Sequence, residues 1–362
     1  MIEFEESDLS VSGQLAKGHG VMGATAEGES FRGTDLKGVI FMNCVFNSCR
    51  FLGAEMQEAQ LMNCKFVDCE FLNCKAGSIL FMKCEFIDSL LQSVVGNKQT
   101  WMESSFSRCQ FSDFSYEFVQ VVKCTFEESF FKNGRFFRFA FLDSDLDGHV
   151  FDNMHLEQGN MLKIRTKGAT IKKNCRIDTV LIHEAIFDGH DWQGMQLPRV
   201  QFVECSHVAG LFNNAELSSA GFQECNLHGI QMKKVRADNA RFSKSNLNQA
   251  EFTGSKMTSC LFTESQLTGA KFNDVVMDKS IIIKCDAKKM QFDAVDLSEG
   301  TFEDNDVAGA QLTNIKLNFA KVDRLLEDND TDWTGSLKKV CRLNDERDNR
   351  AKVVKNVGRP QK

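Results

Sequence analysis

Apolar side chains recur at every fifth position along most of this sequence. The series starts at Phe31 and keeps one register to Met161. It then falters and restarts one residue out of phase at Ile177, from where it runs to Val322. A helix repeats near 3.6 residues and a strand near 2, so neither explains a sustained period of five. A short fixed period over many consecutive units is typical of a solenoid.

The residues around each central position follow a second rule. In NCKFVDCEFLNCK, the central Phe66 and Phe71 each stand two places after a cysteine, and elsewhere Ala or Ser takes that small position. Of the 32 phenylalanines, 25 fall on central positions. The remaining residues of each unit are mostly polar. The pattern therefore predicts a core built from one large and one small side chain per unit.

Blocks such as NNAELSSAGFQECNLHG resemble the pentapeptide-repeat family, whose unit is often written A-(D/N)-L-x-x. The resemblance covers residues 31–322 and rests on many consecutive units. It implies an all-β solenoid, a right-handed quadrilateral β-helix with four pentapeptides per coil and about 15 coils in two phases. Central residues 20 apart should then stack in columns, which are Phe46, Phe66, Phe86, Phe106 and Phe126, and Phe202, Phe222, Phe242 and Phe262.

The pattern divides the chain into four segments. Residues 1–30 lack the period and are interpreted as an N-terminal cap or arm, residues 31–171 as the first phase, and residues 172–322 as the second. Residues 323–362 change composition and are interpreted as a C-terminal cap with a short amphipathic helix and a basic tail. Related solenoids often dimerise through such a helix. Its candidate residues are Trp333, Leu337, Val340 and Leu343.

Thirteen of the 14 cysteines, all except Cys341, fall on the small inward position. A free thiol there acts as a small hydrophobe that Ala or Ser can replace. Parallel Cβ vectors within a column oppose the torsion that a disulfide requires. The column also lacks the partners and the access of a zinc site. We therefore predict that the cysteines fill the core and that the chain has no metal site.

The N-terminal residues show neither the basic nor the apolar region of a cleaved signal peptide. No apolar run approaches the roughly 18 residues of a membrane-spanning helix. Together with the free thiols, this predicts the cytoplasm of a bacterium. Export by a secretion system that needs no signal is the alternative.

One cluster holds the residue types of catalysis, namely His183, Glu184, His190 and Asp191 in HEAIFDGHD. In the five-residue register His183 and Glu184 point outward and His190 points inward, and the spacing matches no zinc motif. His207 falls on a central position, where a hydrogen-bonded core histidine is expected. Phosphate loops, nucleotide fingerprints and nucleophile elbows are missing from the sequence. We predict no catalytic residue, no cofactor and no enzymatic activity.

One outward column is apolar in six successive coils. The residue after a central one should face solvent, and a patch of this size usually marks an interface. Methionine also suits an adaptable contact surface. Alternatively, the N-terminal arm or the C-terminal helix folds back over it. With two neighbouring positions, the candidate interface residues are Met42, Met62, Met82, Met102, Val122, Leu142, Ile40 and Leu80.

The phase break, MLKIRTKGATIKKNCR, is basic. A one-residue insertion there predicts a bulge or small loop. Such a cluster can bind phosphate groups, although a solvated surface is the favoured interpretation. Its candidate anion contacts are Lys163, Arg165, Lys167, Lys172, Lys173 and Arg176.

The predicted function is a non-enzymatic bacterial scaffold for protein–protein interaction, and some members of the family are secretion-system effectors or accessory proteins. The expected partner is another protein, and a homodimer through the C-terminal segment or the apolar column is also expected. The alternative is a DNA mimic that binds DNA gyrase or topoisomerase IV, as certain shorter members do. Residues 31–322 carry 32 Lys/Arg and 36 Asp/Glu, a net charge of −4 over 292 residues. This near balance disfavours mimicry of a duplex and binding of nucleic acid.

Overall fold

A computed structural model describes residues 10–16, 18 and 20–336. They form two compact units with the boundary between Ala185 and Ile186. Each unit is a solenoid of parallel strands, and together the units make about 15 turns. Paired residues are 20 apart in sequence, as in Phe46 with Phe66 and Phe222 with Phe242. The predicted all-β solenoid with four five-residue segments per turn is confirmed.

Each five-residue segment forms one side of a turn. Its central side chain points inward and the two flanking side chains point outward, as the alternation of a strand requires. The next residue adopts the left-handed conformation, for example Asn63 with a φ of 52° and Asp68 with a φ of 53°, and it turns the chain through a corner. Short polar side chains tolerate this conformation better than most residues do. The small residue after the corner points inward again.

Among the described residues of unit 1, the first element is the helix Val11–Ala16. The unit has four faces, numbered in the order in which the chain passes them. Face 1 contains the strands Val21–Met22, Ile40–Met42, Gln60–Met62, Leu80–Met82, Thr100–Met102, Gln120–Val122 and Ala140–Leu142. Face 2 contains Thr25–Glu27, Val45–Asn47, Lys65–Val67, Glu85–Ile87, Ser105–Ser107 and Thr125–Glu127. Face 3 contains Arg50–Leu52, Glu70–Leu72, Leu90–Gln92, Gln110–Ser112, Phe130–Lys132, Val150–Asp152 and Thr170–Ile171. Face 4 contains Val95–Asn97, Ser115–Glu117 and Arg135–Phe137, and the longer strands His155–Leu162 and Arg176–His183 run from face 4 onto face 1.

Unit 2 has two stranded faces, and its other two sides are joined by single bridges such as Asn226 with Asn246. Face 5 contains Gln201–Val203, Gly221–Gln223, Arg241–Ser243, Leu261–Thr263, Ile281–Ile283, Thr301–Glu303 and Lys321–Asp323. Face 6 contains Gln231–Lys233, Glu251–Thr253, Lys271–Asn273, Gln291–Asp293 and Gln311–Thr313.

The predicted columns of phenylalanine are confirmed in both units. The ring centroids of Phe46 and Phe66 are 4.7 Å apart and their planes are within 2° of parallel. In unit 2 the rings of Phe222 and Phe242 are 5.1 Å apart and within 1°. Stacking continues along both columns, and these side chains are buried. Each such burial contributes about 1.5–3 kcal/mol, so the columns are the main source of stability.

Two phenylalanines stand where the repeat calls for small residues. Phe114 and Phe139 occupy the small inward position and are buried. In the following turn, Gly134 and Gly159 take the equivalent position. A Cβ atom at Gly134 would lie 2.3 Å from the Phe114 ring, and one at Gly159 would lie 2.2 Å from the Phe139 ring. Each ring therefore fills the space of the side chain missing one turn later.

The phase break is a one-residue insertion at a corner of unit 1. Phe151 pairs with Ile171, as the repeat of four pentapeptides requires, whereas His155 pairs with Arg176, one position further along the chain. The extra residue lies in a tight turn, in which the Cys175 N–H donates to the Lys172 carbonyl oxygen at 2.9 Å. The predicted small loop is thus accommodated outside the core.

The parallel pairing is wider than the span 31–322 marked by the five-residue pattern. It begins at Val21, which pairs with Phe41. Before it, the helix Val11–Ala16 closes the end of the core with the buried Val11. At the other end, Gln311 bridges Asp332 and the Ser336 hydroxyl donates to the Leu312 carbonyl oxygen at 2.7 Å. Of the candidate helix residues, Leu337, Val340 and Leu343 lie outside the described residues.

Candidate interaction face

Face 1 of unit 1 places the predicted apolar column on one line. Met42, Met62, Met82 and Met102 pair in register in successive turns, and Val122 and Leu142 follow in the same column. Met22 and Leu162 extend the apolar part of the column by one turn at each end, and His183 follows Leu162. Continuing the column by one turn in each direction would have found both in the sequence. We call the eight apolar residues the ladder.

The second outward column of face 1 is also free of charge. It contains the residues that precede the central ones, namely Gly20, Ile40, Gln60, Leu80, Thr100, Gln120, Ala140 and Asn160. The sixteen outward positions in the first eight turns of face 1 therefore include no charged residue, and the ladder half is entirely apolar. The ninth turn adds Leu181 and the titratable His183, which end the uncharged part of the face. Faces 2, 3 and 4 each carry several charges, for example Lys65 with Glu85 on face 2. We call the sixteen positions the uncharged face.

The uncharged face is accessible and bordered by polar corners. Met22 is 60% exposed and Ile40 is 39% exposed, while the inner ladder residues are half-buried by their neighbours. Along one border, the Lys83 ammonium lies 3.7 Å from the Glu103 carboxylate. An apolar strip with a polar rim has the anatomy of a protein interface.

The described part of the N-terminal segment leaves the ladder open. Gln14 bonds to the backbone of Met22 in both directions, because its amide nitrogen donates to the Met22 carbonyl oxygen and its amide oxygen accepts from the Met22 N–H. These bonds satisfy the edge of the first strand without covering the Met22 side chain. Residues 1–9 and 337–362, which the sequence offers as alternative covers, lie outside the described residues.

On the other faces, charges pair between successive turns. Glu55 lies between Lys37 and Lys75, and these ammonium groups lower the pKa of its carboxyl to about 2. Asp88 receives two hydrogen bonds from the Arg108 guanidinium, at 2.7 and 2.8 Å. Such exposed pairs neutralise charge locally and contribute little to stability.

The basic run 163–176 does not gather into one patch. Its residues follow the chain from the end of face 1 through faces 2 and 3 to face 4. Three of its cations face acids, in the pairs Arg165 with Asp145, Lys172 with Asp152, and Arg176 with Asp178. A hollow beside Lys163 and Arg165 is also lined by Asp143 and Asp145, which oppose the binding of an anion. The favoured interpretation of a solvated surface therefore stays a prediction.

The cluster of catalytic residue types behaves as the five-residue register predicts. His183 and Glu184 lie at the surface of unit 1, with the His183 Nδ1 3.4 Å from a Glu184 carboxylate oxygen. In unit 2 the His190 ring lies largely buried, 4.4 Å from the Trp192 ring, and burial lowers its pKa. Asp191 accepts a hydrogen bond from the Gln193 N–H within a turn.

Two histidines are fully buried, and neither ring nitrogen of either one has a hydrogen-bond partner among the described residues. His207 lies between phenylalanines, and its ring stacks on the Phe187 ring with the centroids 5.3 Å apart. The prediction that His207 is hydrogen-bonded is therefore wrong. His149, in a small inward position, lies 4.3 Å from the Phe131 ring. Burial lowers the pKa of each to about 3, which keeps both rings neutral. Because the surrounding rings offer no acceptor, the histidines serve as core residues.

The thirteen described cysteines are all buried thiols. The Cys74 thiol donates to the Phe51 carbonyl oxygen at 3.0 Å. Burial raises the pKa of Cys74 and of Cys124 to about 11. A thiol with so high a pKa is a poor nucleophile and a poor metal ligand. The structure thus places these residues in the core, as predicted.

Trp333 does not lie in a helix, contrary to the expectation for the C-terminal segment. Its ring centroid is 6.5 Å from that of Phe302, and its indole N–H donates to a Glu327 carboxylate oxygen at 3.1 Å. The residue belongs to a further turn of unit 2 and packs against the end of the core. The five-residue pattern did not reveal this turn because Trp333 stands one position later than a whole turn after Leu312.

A group of aromatic and cationic side chains on face 4 was not identified from the sequence. The Arg138 guanidinium lies 5.2 Å from the Phe118 ring and 5.0 Å from the Phe137 ring, and Arg135 lies 4.6 Å from the Phe137 ring. Phe118 is 42% exposed at a corner. Arg135 also pairs with Glu157 at 2.9 Å, so the group forms a closed network on the surface.

Comparison with known families matches two parts of the chain. Residues 30–68 match a model of pentapeptide repeats with 8 copies, and residues 208–275 match a model of a pentapeptide repeat region. The matches fall in unit 1 and unit 2 respectively. The comparison with curated proteins gives no match. Within the described ranges, no helix has the length and apolar character needed to cross a membrane.

Among solved structures, 67 chains match. One is a trypsin-treated form of QnrB1, described as a plasmid-mediated fluoroquinolone resistance protein, with 12% identity over 56% of this chain and 89% of that chain and a TM-score of 0.25. Another is HetL, a pentapeptide repeat protein involved in heterocyst differentiation regulation from the cyanobacterium Nostoc sp. strain PCC 7120. It has 14% identity over 75% of this chain and 94% of that chain, and a TM-score of 0.22. At these TM-scores the likeness carries no argument about function.

Proposed function

The chain belongs to the pentapeptide-repeat family, and on that premise we propose that it is a non-catalytic scaffold that binds another protein through the uncharged face. One observation carries the proposal: sixteen outward positions in eight successive turns of face 1 hold no charged side chain. The outward side of a solvated sheet is normally polar. A contiguous apolar strip on such a surface is typical of a contact site.

The chemistry of the remaining groups supports a scaffold rather than an enzyme. Thiols such as Cys74 are buried with a raised pKa, and His149 and His207 are buried and neutral. Carboxylates such as Glu55 and Asp88 are engaged by cations of neighbouring turns. Catalysis needs a nucleophile or base and an orienting group that converge on one place. These groups are dispersed around the turns.

An effector role, with delivery by a secretion system that needs no signal, is the form of this function that the family resemblance suggests. A DNA mimic is less well supported, because duplex DNA presents an unbroken series of negative charges. On this chain cations and anions alternate between turns, as in Lys65 with Glu85 and Asp88 with Arg108. A gyrase supercoiling assay separates the two functions, since strong inhibition by the purified chain would favour the mimic.

The direct test replaces Met62, Met82 and Met102 with Lys. The tagged full-length chain is used to capture partners, and each captured protein is then purified and its affinity measured by a biosensor. We expect the triple variant to lose the specific partner, since a lysine buried in an apolar contact must be desolvated without a counter-charge.

The matched control is Gln223→Lys, Ser243→Lys and Thr263→Lys, which adds the same charge at equivalent outward positions of face 5. It should retain the partner. Thermal unfolding of both variants monitors the fold. If the triple lysine variant of Met62, Met82 and Met102 keeps the same partner affinity and the same oligomeric state, the proposal is contradicted.

A further inference from the structure

We propose that the uncharged face is occupied by the same face of a second copy of this chain, so that two unit 1 sheets pack against each other in a symmetric dimer. The inference rests on the proposed function and names its partner. A two-fold interface uses one surface patch twice, so the patch must be complementary to itself. Charge, spacing and area are the three properties of the uncharged face that bear on such a contact.

The first property is charge. Each chain carries a net charge of −7, so two copies repel each other over most orientations. Contact through face 1 brings no outward charge of one copy against a like charge of the other, because all sixteen outward positions are neutral. On faces 2, 3 and 4, a contact of the same kind would bury charged groups such as Lys65, Arg50 or Arg135.

The second property is spacing. The strands of face 1 pair in register through eight successive turns, from Val21–Met22 to the second half of His155–Leu162. Parallel strands lie about 4.8 Å apart, and two sheets that pack face to face lie about 10 Å apart. A second copy presents rows of side chains at the same interval, which allows the rows of the two sheets to interdigitate.

The two columns of the face also differ in size. The ladder contains long apolar side chains, and the other column includes Gly20, Thr100 and Ala140. A two-fold axis parallel to the solenoid axis of unit 1 places the ladder of each copy opposite this other column. Large side chains then meet several small ones, as close packing of an interface requires.

The third property is area. Eight strands at about 4.8 Å and three residues at about 3.3 Å give a sheet of roughly 400 Å² per copy, or roughly 800 Å² for two copies. Stable specific interfaces bury about 1,200–2,000 Å². The area lies below this range, so the face fits a weak, reversible dimer.

The test is sedimentation of the full chain over a series of micromolar concentrations. The wild-type chain should pass from monomer to dimer. In the variant with Met82→Lys and Met102→Lys, the dissociation constant of the dimer should rise at least about 100-fold, because the dimer would bury four like charges without partners. The control with Ser243→Lys and Thr263→Lys on face 5 should dimerise as the wild-type chain does.

Two further variants complete the design. Met82→Gln with Met102→Gln introduces no charge and should weaken the dimer by about 10-fold through the loss of apolar contact, which keeps the test valid if the lysine variant unfolds. Leu337→Lys with Val340→Lys changes the C-terminal segment, and the dimer should be retained. Loss of the dimer in this variant alone would assign the contact to the C-terminal segment and overturn the inference. A wild-type chain that stays monomeric while its capture of a different protein depends on the ladder would also overturn it, but would leave the proposed function standing.

Discussion

Face 1 of unit 1 and face 5 of unit 2 have the same inward side and different outward sides. Central residues are buried in both, from Phe41 to Phe141 on face 1 and from Phe202 to Val322 on face 5. On the outward side, face 5 carries Arg241, Glu303 and Lys321, whereas face 1 carries no charge in eight turns. The fold therefore does not require an uncharged outward side. Since unit 2 forms the same kind of solenoid with charges there, the uncharged face is consistent with the proposed contact.

The cores of the two units also differ in regularity. Unit 1 admits Phe114 and Phe139 at small inward positions and offsets them with Gly134 and Gly159 one turn later. In unit 2 the small positions are mostly filled by Ala, Cys and Ser, with Cβ groups that fit without such compensation. The core volume of a solenoid can thus be filled in two ways. Either each small position holds a small side chain, or a large side chain in one turn is offset by a glycine in the next.

The largest expected effect tests whether the inward sides are equivalent. Phe66→Ala in unit 1 and Phe242→Ala in unit 2 each remove a fully buried ring that is stacked on both sides. Each should lower the free energy of unfolding by about 3–5 kcal/mol, measured by denaturant titration. If one substitution lowers the free energy of unfolding by less than half as much as the other, the two columns do not contribute equally.

A smaller effect separates the two kinds of core. Gly134→Ala should lower the free energy of unfolding by about 1–3 kcal/mol, because its Cβ would overlap the buried Phe114 ring. Gly221→Ala in unit 2 is the matched control. Its Cβ would meet only the Gln201 side chain, which is exposed and can move away. If both substitutions cost the same, the compensation between Phe114 and Gly134 is not rigid.

The sequence predicts the inward side of this protein better than the outward side. The period of five identifies the fold, the columns of phenylalanine and the core position of the cysteines, because each inward slot accepts few side chains. The uncharged face was predicted in part, since the ladder is visible in the sequence at every fourth pentapeptide. Its ends at Met22 and Leu162 lie in turns that the pattern assigned to a cap or did not count.

Other features depend on contacts that a linear period does not contain. Trp333 was assigned to a helix because its segment changes composition, but an insertion of one residue keeps it in a further turn. His207 was expected to have hydrogen bonds, which depend on its neighbours in adjacent turns, and these are phenylalanines. The network of Arg135, Arg138, Phe118 and Phe137 likewise forms only when residues from successive turns meet.

The buried histidines, one in each unit, predict a dependence of stability on pH. In the folded chain the pKa of His207 is lowered to about 3 by burial, and the nearby His190 adds to the effect. The unfolded chain binds a proton near pH 6.5, so the stability is complete above that pH and falls as the pH decreases towards 3. At pH 5.5 the loss from one histidine should be roughly 1.4 kcal/mol.

Two substitutions distinguish this titration from packing. His207→Leu matches Leu227, the next residue of its column, and should reduce the pH dependence of the denaturation midpoint between pH 7 and 5, with the contribution of His149 remaining. His207→Gln should reduce it as well, but should lower stability at every pH because a neutral amide is buried without a partner. An unchanged slope in both variants would assign the acid sensitivity to other groups.

The smallest expected effect concerns ion pairs on the two outward sides. Lys65 and Glu85 of unit 1 are about equally exposed, at 43% and 45%, and their charged atoms are 2.9 Å apart. In unit 2, Lys321 lies 2.8 Å from Glu303, whose side chain is only 6% exposed. Double-mutant cycles with Met for Lys and Gln for Glu should give a coupling of about 0.5 kcal/mol or less for the exposed pair and about 1 kcal/mol for the half-buried pair. Added salt should reduce the first coupling more than the second, because solvent ions screen exposed charges more strongly. Equal coupling energies would mean that the burial of Glu303 does not strengthen its ion pair with Lys321. Substitution of the outward charges would then have as little effect on stability in unit 2 as in unit 1.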